Sequence, residues 1–316
     1  MEKEFKNSVL STLAYFDLFN HPLEARELYF YLWGLERKMG YYDFLLELEE
    51  VVENGLIESK NGYYFFPRRL DLIKNRESKV NYLEKKMQIA KRGAKLIRFV
   101  PFVRAVFVCN TIASSTAGED SDIDLFIVIE QGHIWLSRFL ITMLLSIFRL
   151  RRTKKKINDR LCLSFYVTDK NLDLSRISID GEDIYLAYWL SNLTPVYDPQ
   201  NLLKRIVKEN VWATETLRHF GNVYNMGQLW RVEKLNRMAG FVNFFEKIWS
   251  TEYGNLLEDQ ARSIQMSKMR KNKSVQDEQD TRVVINDEML KFHENDRRKL
   301  YRQKWQEKCI EYGVVE

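Results

Sequence analysis

Two aspartates stand at the start of an otherwise apolar stretch in the middle of the chain. Asp122 and Asp124 occur in "SDIDLFIVIE", where residues 125–129 are all hydrophobic. In a strand, residues i and i+2 point to the same face, so the two carboxylates are predicted to project together. Adjacent carboxylates repel each other, and a hard cation held by two carboxylates and substrate phosphates relieves that repulsion. The spacing therefore predicts a Mg²⁺ site, with Mn²⁺ as the alternative ion.

A turn rich in small hydroxyl residues precedes the aspartates. It reads "NTIASSTAGEDS" from Asn110 to Ser121 and follows a short apolar strand. A helix that begins in such a turn offers free backbone N–H groups to a phosphate, and hydroxyl side chains add donors. A metal site beside a phosphate-binding turn is typical of phosphoryl or nucleotidyl transfer, in which the protein positions groups and neutralises charge.

This segment resembles the nucleotidyltransferase superfamily with the DNA polymerase β-like core. The family motif is Gly-Ser, a spacer with a small residue, and Asp-x-Asp on the next strand. Here Asn110 and Thr111 take the place of Gly-Ser, Ala113 matches the small residue, and residues 119–128 match the second half. The resemblance covers residues 103–198. It implies an α/β (α+β) core with a mixed sheet.

The resemblance also implies roles for particular residues. Asp122 and Asp124 would be catalytic and hold the metal, and Asn110, Thr111 and Ser121 would form the nucleotide-binding turn, with Ser121 as a structural cap. The substrate would be an NTP, whose nucleoside monophosphate moves to a hydroxyl acceptor. The acceptor stays open between a small molecule, a protein side chain and an RNA end, because the fold alone does not choose.

The third acidic residue of active family members has no evident counterpart. Its place on the next strand, "LCLSFYV", falls on Cys162 or Ser164, and Asp159 and Asp169 stand at the two ends of that strand. The third carboxylate usually helps the acceptor hydroxyl to lose its proton. Two functions therefore remain: a Mg²⁺-dependent nucleotidyltransferase, or a catalytically degraded nucleotide- or RNA-binding module of the same fold.

Periodicity and turn residues divide the chain into four parts. The predicted parts are a winged-helix-like domain at 1–67, a basic helical linker at 68–100, the nucleotidyltransferase core at 101–200 and an almost entirely helical domain at 201–316. Asn61-Gly62 predicts a tight hairpin in the first part. The third helix of that part has five acidic residues and no basic one (Asp43, Glu47, Glu49, Glu50 and Glu53). Phosphates would be repelled by it, so DNA binding through this helix is not expected.

Basic residues are concentrated on both sides of the aspartates. Residues 68–104 contain 12 Lys or Arg against 3 acidic residues, and residues 149–160 contain 7 against 1. Such blocks suit an anionic partner such as nucleotide phosphate, RNA or a lipid surface, and solvated helix faces have the same composition.

The spacing of the cysteines bears on the type of metal that the protein could bind. The most apolar segment bears on whether the chain crosses a membrane. The three cysteines form no CxxC pair and do not cluster with the four histidines, which argues against a zinc site. Residues 134–150 are very apolar but shorter than the roughly 20 residues of a spanning helix, and they include Arg138. We therefore expect a core helix, no transmembrane span and, since the N-terminus does not resemble a signal peptide, a cytoplasmic protein.

Overall fold

A six-stranded mixed sheet forms the centre of the molecule, with helices on both faces. The computed structural model describes residues 2–110, 116–219, 227–234, 236–271, 281–293 and 295–314. Three short strands of the N-terminal part come earlier in the chain, so the central strands are numbered from β4: β4 (Val103–Val108), β5 (Ile123–Ile129), β6 (Leu161–Thr168), β7 (Thr194–Tyr197), β8 (Val283–Ile285) and β9 (Met289–Phe292). Their order across the sheet is β7-β4-β5-β6-β9-β8. The expected mixed α/β class is thus confirmed.

Strands β5 and β6 run parallel at the middle of this sheet, and the other neighbouring pairs are antiparallel. A parallel pair needs a crossover connection, and helix α5 (Ile134–Ile147) supplies it. Side chains from alternate strand positions enter two different hydrophobic clusters. Phe126 and Val128 lie in one cluster and Leu125 and Ile127 in the other, so Asp124 shares the face of Phe126.

The prediction of an almost entirely helical chain after Leu202 is wrong at residues 283–292. Strands β8 and β9 form a hairpin that pairs with β6 and extends the central sheet. Within its turn, the Asn286 side chain accepts hydrogen bonds from the backbone N–H groups of Glu288 and Met289. Asparagine often closes turns in this way, and the flanking β-branched and apolar residues suit strands. The hairpin brings residues from the end of the chain to the middle strands.

Three helices and a small sheet form the N-terminal part. The elements are α1 (Lys3–Asp17), β1 (Leu23–Glu24), α2 (Ala25–Tyr31), α3 (Tyr41–Glu53), β2 (Glu58–Lys60) and β3 (Tyr63–Phe65). Asn61 and Gly62 join β2 to β3 with φ angles of 55° and 80°. Two consecutive positive φ angles are what a tight two-residue hairpin requires, so the hairpin predicted at Asn61-Gly62 is confirmed.

Helix α4 (Asp71–Ile97) fills the predicted basic linker and leads into the central sheet. Its buried stripe includes Met87, Ala90, Ala94 and Ile97, which pack in the cluster on the α5 side of the sheet. Spacing of three and four residues places these side chains on one helix face. Four of the eight basic residues of α4 are exposed (Lys74, Lys85, Arg92 and Lys95), so part of this basic block is a solvated helix surface.

The apolar segment 134–150 is a packed helix rather than a spanning one. Among the described residues, the structure has no helix long and apolar enough to cross a bilayer. Arg138 of α5 donates a hydrogen bond to Gln265, and its guanidinium lies 4.9 Å from the ring centroid of Phe292 and 5.8 Å from that of Tyr166. These contacts explain how an arginine fits within so apolar a segment.

Further helices surround the sheet and tie the two ends of the chain together. They are α6 (Ile184–Ser191), α7 (Leu202–Glu209), α8 (Val211–Thr216), α9 (Gly227–Trp230), α10 (Asn236–Trp249), α11 (Glu252–Lys271) and α12 (Arg298–Glu311). Helix α11 packs on α5, and its Glu258 accepts hydrogen bonds from the first backbone N–H groups of α5. Helix α12 packs on α1, where Trp305 Nε1 donates to the carbonyl of Ser11 over 2.9 Å.

Candidate functional site

The two aspartates lie together at the beginning of β5. Asp124 is the second residue of the strand and Asp122 immediately precedes it. One carboxylate oxygen of each, and the Cys162 sulfur of β6, all lie within 4.8 Å of one another. The prediction that both carboxylates project to one side, close enough to share a cation, is confirmed.

A buried lysine fixes the backbone that leads to this pair. Lys86 of α4 donates from Nζ to the carbonyls of Glu119 (3.0 Å) and Ser121 (2.7 Å), and it pairs with Asp159 Oδ1 at 2.9 Å. A buried ammonium is stable only when its donors are satisfied in this way. Lys86 therefore has a structural role, which the general basic character of its segment did not predict.

The structure describes the two ends of the predicted nucleotide-binding turn, Asn110 and residues 116–121. Ser121 closes the turn, because its hydroxyl accepts from the Gly118 N–H at 3.0 Å, in keeping with the capping role expected of it. Asn110 adopts a left-handed φ of 57° and its side chain hydrogen-bonds Asp124, so it lies directly beside the aspartate pair. Asparagine tolerates this conformation better than most residues. Thr111 lies outside the described residues.

Burial and mutual repulsion make the aspartate pair hold a proton unusually tightly. Burial raises the pKa of Asp124 to about 6, and the Asp122 charge adds to the rise, while hydrogen bonds from Asn110 and Cys162 oppose it. Arg152, from the loop after α5, lies 3.0 Å from Asp122 Oδ2 and supplies the nearest positive charge. Two carboxylates with one partly exposed arginine leave the pair suited to a further cation.

The donor set favours a hard, oxygen-binding ion. Burial raises the pKa of Cys162 to about 12, and the charges of Asp124 and Asp122 reinforce this, so its sulfur is a neutral thiol at neutral pH. Zinc and other soft ions bind cysteine as the thiolate. Two of the three ligand atoms at the site are carboxylate oxygens, the donors that Mg²⁺ and Mn²⁺ prefer.

A bulge in β6 determines which of its side chains lie on the side of the aspartates. Asp124 pairs with Cys162, yet Phe126 pairs with Phe165, so β6 has one extra residue between the two pairs. Ser164 and Phe165 consequently line the same cavity. Cys162 and Ser164, the two positions where the third acid would stand, thus lie on the side of the aspartates, and the bulge brings Phe165 to that side as well.

Neither flanking aspartate is free to act as the third carboxylate. Asp159 is paired with Lys85 at 2.6 Å and with Lys86, and these bonds lower its pKa although partial burial opposes the change. Asp169 follows the far end of β6, where it accepts a hydrogen bond from the Gln131 N–H. The place of the third acid is thus occupied by a thiol and a hydroxyl.

A cavity of about 450 Å³ extends from Asp124 toward the C-terminal hairpin. Its wall includes Arg152, Ser164, His293 and the exposed Arg297. His293 Nε2 lies 3.2 Å from Ser164 Oγ, which is hydrogen-bonding distance. The cavity therefore combines the Asp124 carboxylate, two arginines and a serine–histidine pair.

A buried ion network holds this wall of the cavity. Lys291 Nζ pairs with Asp296 at 3.1 Å, Arg298 Nε pairs with Asp296 at 2.8 Å, and Arg298 Nη1 reaches Asp183 at 2.9 Å. Burial lowers the pKa of Lys291 to about 8, and the Arg298 charge lowers it further, against the pull of Asp296. Because Asp183 caps α6, the network joins the hairpin and α12 to α6.

Residues from the hairpin were missed by sequence reasoning. His293 follows β9 and lies more than a hundred residues after Ser164, so no local pattern connects them. The turn at Asn286, flanked by apolar runs, is the signal that could have identified the hairpin. Even that signal would not have shown which strand β9 pairs with.

We expect His293 to make the protein acid-sensitive between about pH 6.5 and pH 4. Burial lowers the pKa of His293 to about 4, and the facing charges of Lys291 and Arg298 lower it while Asp296 opposes them. As pH falls, the unfolded chain binds the proton first, so stability is present above pH 6.5 and lost toward pH 4. His293→Gln should reduce this loss by about 2–3 kcal/mol, measured by urea denaturation across that range. Parallel stability curves for the variant and the parent would contradict the expectation.

Comparison with protein-family models, with curated proteins and with solved structures gives no match to this chain.

Proposed function

We propose that this protein is a Mg²⁺-dependent nucleotidyltransferase, which moves a nucleoside monophosphate from an NTP to a hydroxyl acceptor. The observation that carries the proposal is the pair of carboxylates, Asp122 and Asp124, whose ligand atoms lie within 4.8 Å of each other at the start of a central strand. The parallel neighbour β6, the connecting helix α5 and the Asn110 turn agree with the family resemblance. In this proposal residues 101–200 are the nucleotidyltransferase core and residues 1–67 a winged-helix-like domain.

The residues present fit a divalent cation that prefers oxygen. Asp122 and Asp124 would hold it, and when bound it would neutralise charge on the transferring phosphate. Arg152 touches Asp122 and is partly exposed, so it can turn toward the phosphates of an incoming nucleotide. A guanidinium matches phosphate geometry well, and the exposed Arg297 adds a second positive charge at the cavity.

The serine–histidine pair supplies a proton acceptor where the family has a carboxylate. In our scheme the acceptor oxygen bonds to the α-phosphorus, and the bond from that phosphorus to pyrophosphate breaks with the electrons leaving on pyrophosphate. The acceptor proton passes to Ser164 Oγ as the Ser164 proton passes to His293 Nε2, 3.2 Å away. With a pKa of about 4, His293 is neutral at pH 7 and about as basic as an ordinary carboxylate.

The second candidate is a binding module of the same fold that retains nucleotide or RNA without turnover. The observation that favours it is the absence of a carboxylate at Cys162 or Ser164, the residues that face Asp124 on β6. Both candidates require Mg²⁺-dependent nucleotide binding, and only the enzyme releases pyrophosphate.

The deciding experiment is incubation of the full chain with each of the four α-labelled NTPs and Mg²⁺ or Mn²⁺. Pyrophosphate release, with label transferred to the protein or to an added hydroxyl acceptor, supports the enzyme. Saturable nucleotide binding without pyrophosphate, across small-molecule, protein and RNA acceptors, supports the binding module. Absence of metal-dependent nucleotide binding contradicts both candidates.

His293→Ala should lower the rate of transfer by about 10²–10³-fold, with little change in nucleotide affinity, because it removes the proton acceptor. Adding Ser164→Asp to this variant should restore part of the rate, since a carboxylate would then face Asp124. His219→Ala is the matched control, because that histidine is buried against Met39 in a different part of the molecule. Single-turnover kinetics and nucleotide titration measure both effects. Unchanged transfer by His293→Ala would remove the histidine from the mechanism.

A further inference from the structure

Helix α5 has an outer face that no described element covers. Its inner face, which includes Trp135, Ile141 and Leu145, is buried in the core. On the outer face Phe139 is 38% exposed, Met143 47% and Ile147 67%, and Phe148 follows at 46%. Spacing of four residues places the first three on one side of the helix, and we call these four residues the apolar stripe. Single exposed apolar residues are ordinary, but a contiguous row of large ones marks an interaction site.

A strongly basic loop follows the apolar stripe directly. Residues 149–156, the basic loop, contain six Lys or Arg and no acidic residue. Arg149 and Lys154, Lys155 and Lys156 are exposed, and none of these four forms an ion pair within the part of the chain that the structure describes. The loop has a defined shape, because the Thr153 N–H donates to the Lys156 carbonyl at 3.0 Å and the Leu161 N–H to the Leu150 carbonyl at 2.8 Å.

We propose that the apolar stripe and the basic loop together bind the surface of an anionic membrane. Large apolar side chains on a helix enter the boundary between lipid headgroups and acyl chains, and neighbouring cations bind the lipid phosphates. The chain lies on the membrane in this proposal and does not span it. Nucleic acid fits less well, because the apolar side chains of Met143 and Ile147 make no hydrogen bond or ion pair with a phosphate backbone.

The proposed membrane-binding surface of the protein adjoins the candidate site. Arg152 belongs to the basic loop, and its guanidinium lies 3.0 Å from Asp122. Docking through the loop would therefore hold the aspartate pair near the lipid. The proposal does not depend on nucleotidyl transfer, since the apolar stripe and the lysines of the basic loop are separate from Asp122, Asp124, Arg152 and His293.

The test is flotation of the full chain with two kinds of vesicle: phosphatidylcholine alone, and an equal mixture of phosphatidylcholine and phosphatidylglycerol. We expect binding to the anionic vesicles at low salt, weakened by added salt. Each basic residue near such a surface contributes roughly fivefold in affinity, so Lys154→Glu with Lys155→Glu should weaken binding at least about tenfold. Ile147→Glu with Phe148→Glu should weaken it at least about tenfold as well, because it removes the inserting side chains.

Control variants carry changes of the same kind elsewhere. Leu46→Glu alters an apolar side chain of α3 that is exposed to a similar degree, and Lys60→Glu with Lys74→Glu reverses two exposed charges. These variants should bind like the parent. Equal binding to both kinds of vesicle, or no binding at low salt, would overturn the proposal. So would a dimer, detected by light scattering, that the Ile147→Glu, Phe148→Glu variant abolishes, because a second copy would then cover the apolar stripe.

Discussion

Asp124→Asn is expected to abolish nucleotidyl transfer, by at least about 10³-fold, while the protein stays folded. The amide keeps the shape of the carboxylate but removes one of the two charges that would hold the metal. Because burial and Asp122 raise the pKa of Asp124 to about 6, its ionised form costs more free energy in the folded protein than in the unfolded chain. The variant without metal should therefore be as stable as the parent, or more stable by about 1–2 kcal/mol.

Three measurements check this expectation: single-turnover pyrophosphate release, Mg²⁺ binding by calorimetry, and thermal denaturation with and without Mg²⁺. Asp120→Asn is the matched control, because Asp120 is an exposed acid of the same turn, two residues before Asp122. It should keep full activity. Undiminished transfer by Asp124→Asn would refute the proposed site, and an equal loss in Asp120→Asn would show that the effect is one of overall charge.

Arg298→Met is expected to lower the free energy of unfolding by about 3–5 kcal/mol. Arg298 bonds Asp183, Asp296 and the Ile177 carbonyl, all within 3.0 Å. Methionine would fill much of the space but leave both carboxylates buried without that partner. A loss of this size is a large share of the total stability of a folded domain, so α12 and the hairpin should also detach more readily.

Urea denaturation measures the global loss, and hydrogen exchange at β9 reports whether the hairpin opens first. Lys299→Met is the control, since Lys299 is the next residue of α12 and is exposed. It should change stability by less than about 0.5 kcal/mol. If Arg298→Met were to unfold at the same urea concentration as Lys299→Met, the buried network would not be holding the hairpin.

The aspartate pair was predictable because everything that places it is local. Alternation along one strand puts Asp122 and Asp124 on one side, and that periodicity can be read from a few residues. The Asn61-Gly62 hairpin was predictable for the same reason. The bulge in β6 was not, because it depends on how Cys162 and Phe165 pair with a neighbouring strand.

The rest of the site depends on contacts distant in sequence. Lys86 looks like any other lysine of a basic helix, and only the docked turn at Glu119 and Ser121 shows its structural role. His293 reaches Ser164 because a short hairpin joins the sheet, and short strands have weak sequence signals. Local patterns thus identified the residues of β5 and β6 beside the cavity, and the pairing of β9 with β6 adds those of the C-terminal hairpin.

The bond between Trp305 and Ser11 has a consequence for synthesis of the chain on the ribosome. Helix α1 leaves the ribosome well before its partner α12, because Trp305 lies 294 positions after Ser11 in the chain. At about 5–20 residues per second, the intervening chain takes on the order of 15 to 60 seconds to translate. During that interval the apolar side chains of α1 that contact α12 stay exposed to solvent, and the cavity beside the aspartates has no His293 in its wall. A nascent chain should therefore need chaperone protection of α1 during this interval, and it should gain a complete site only after the C-terminal hairpin has been made.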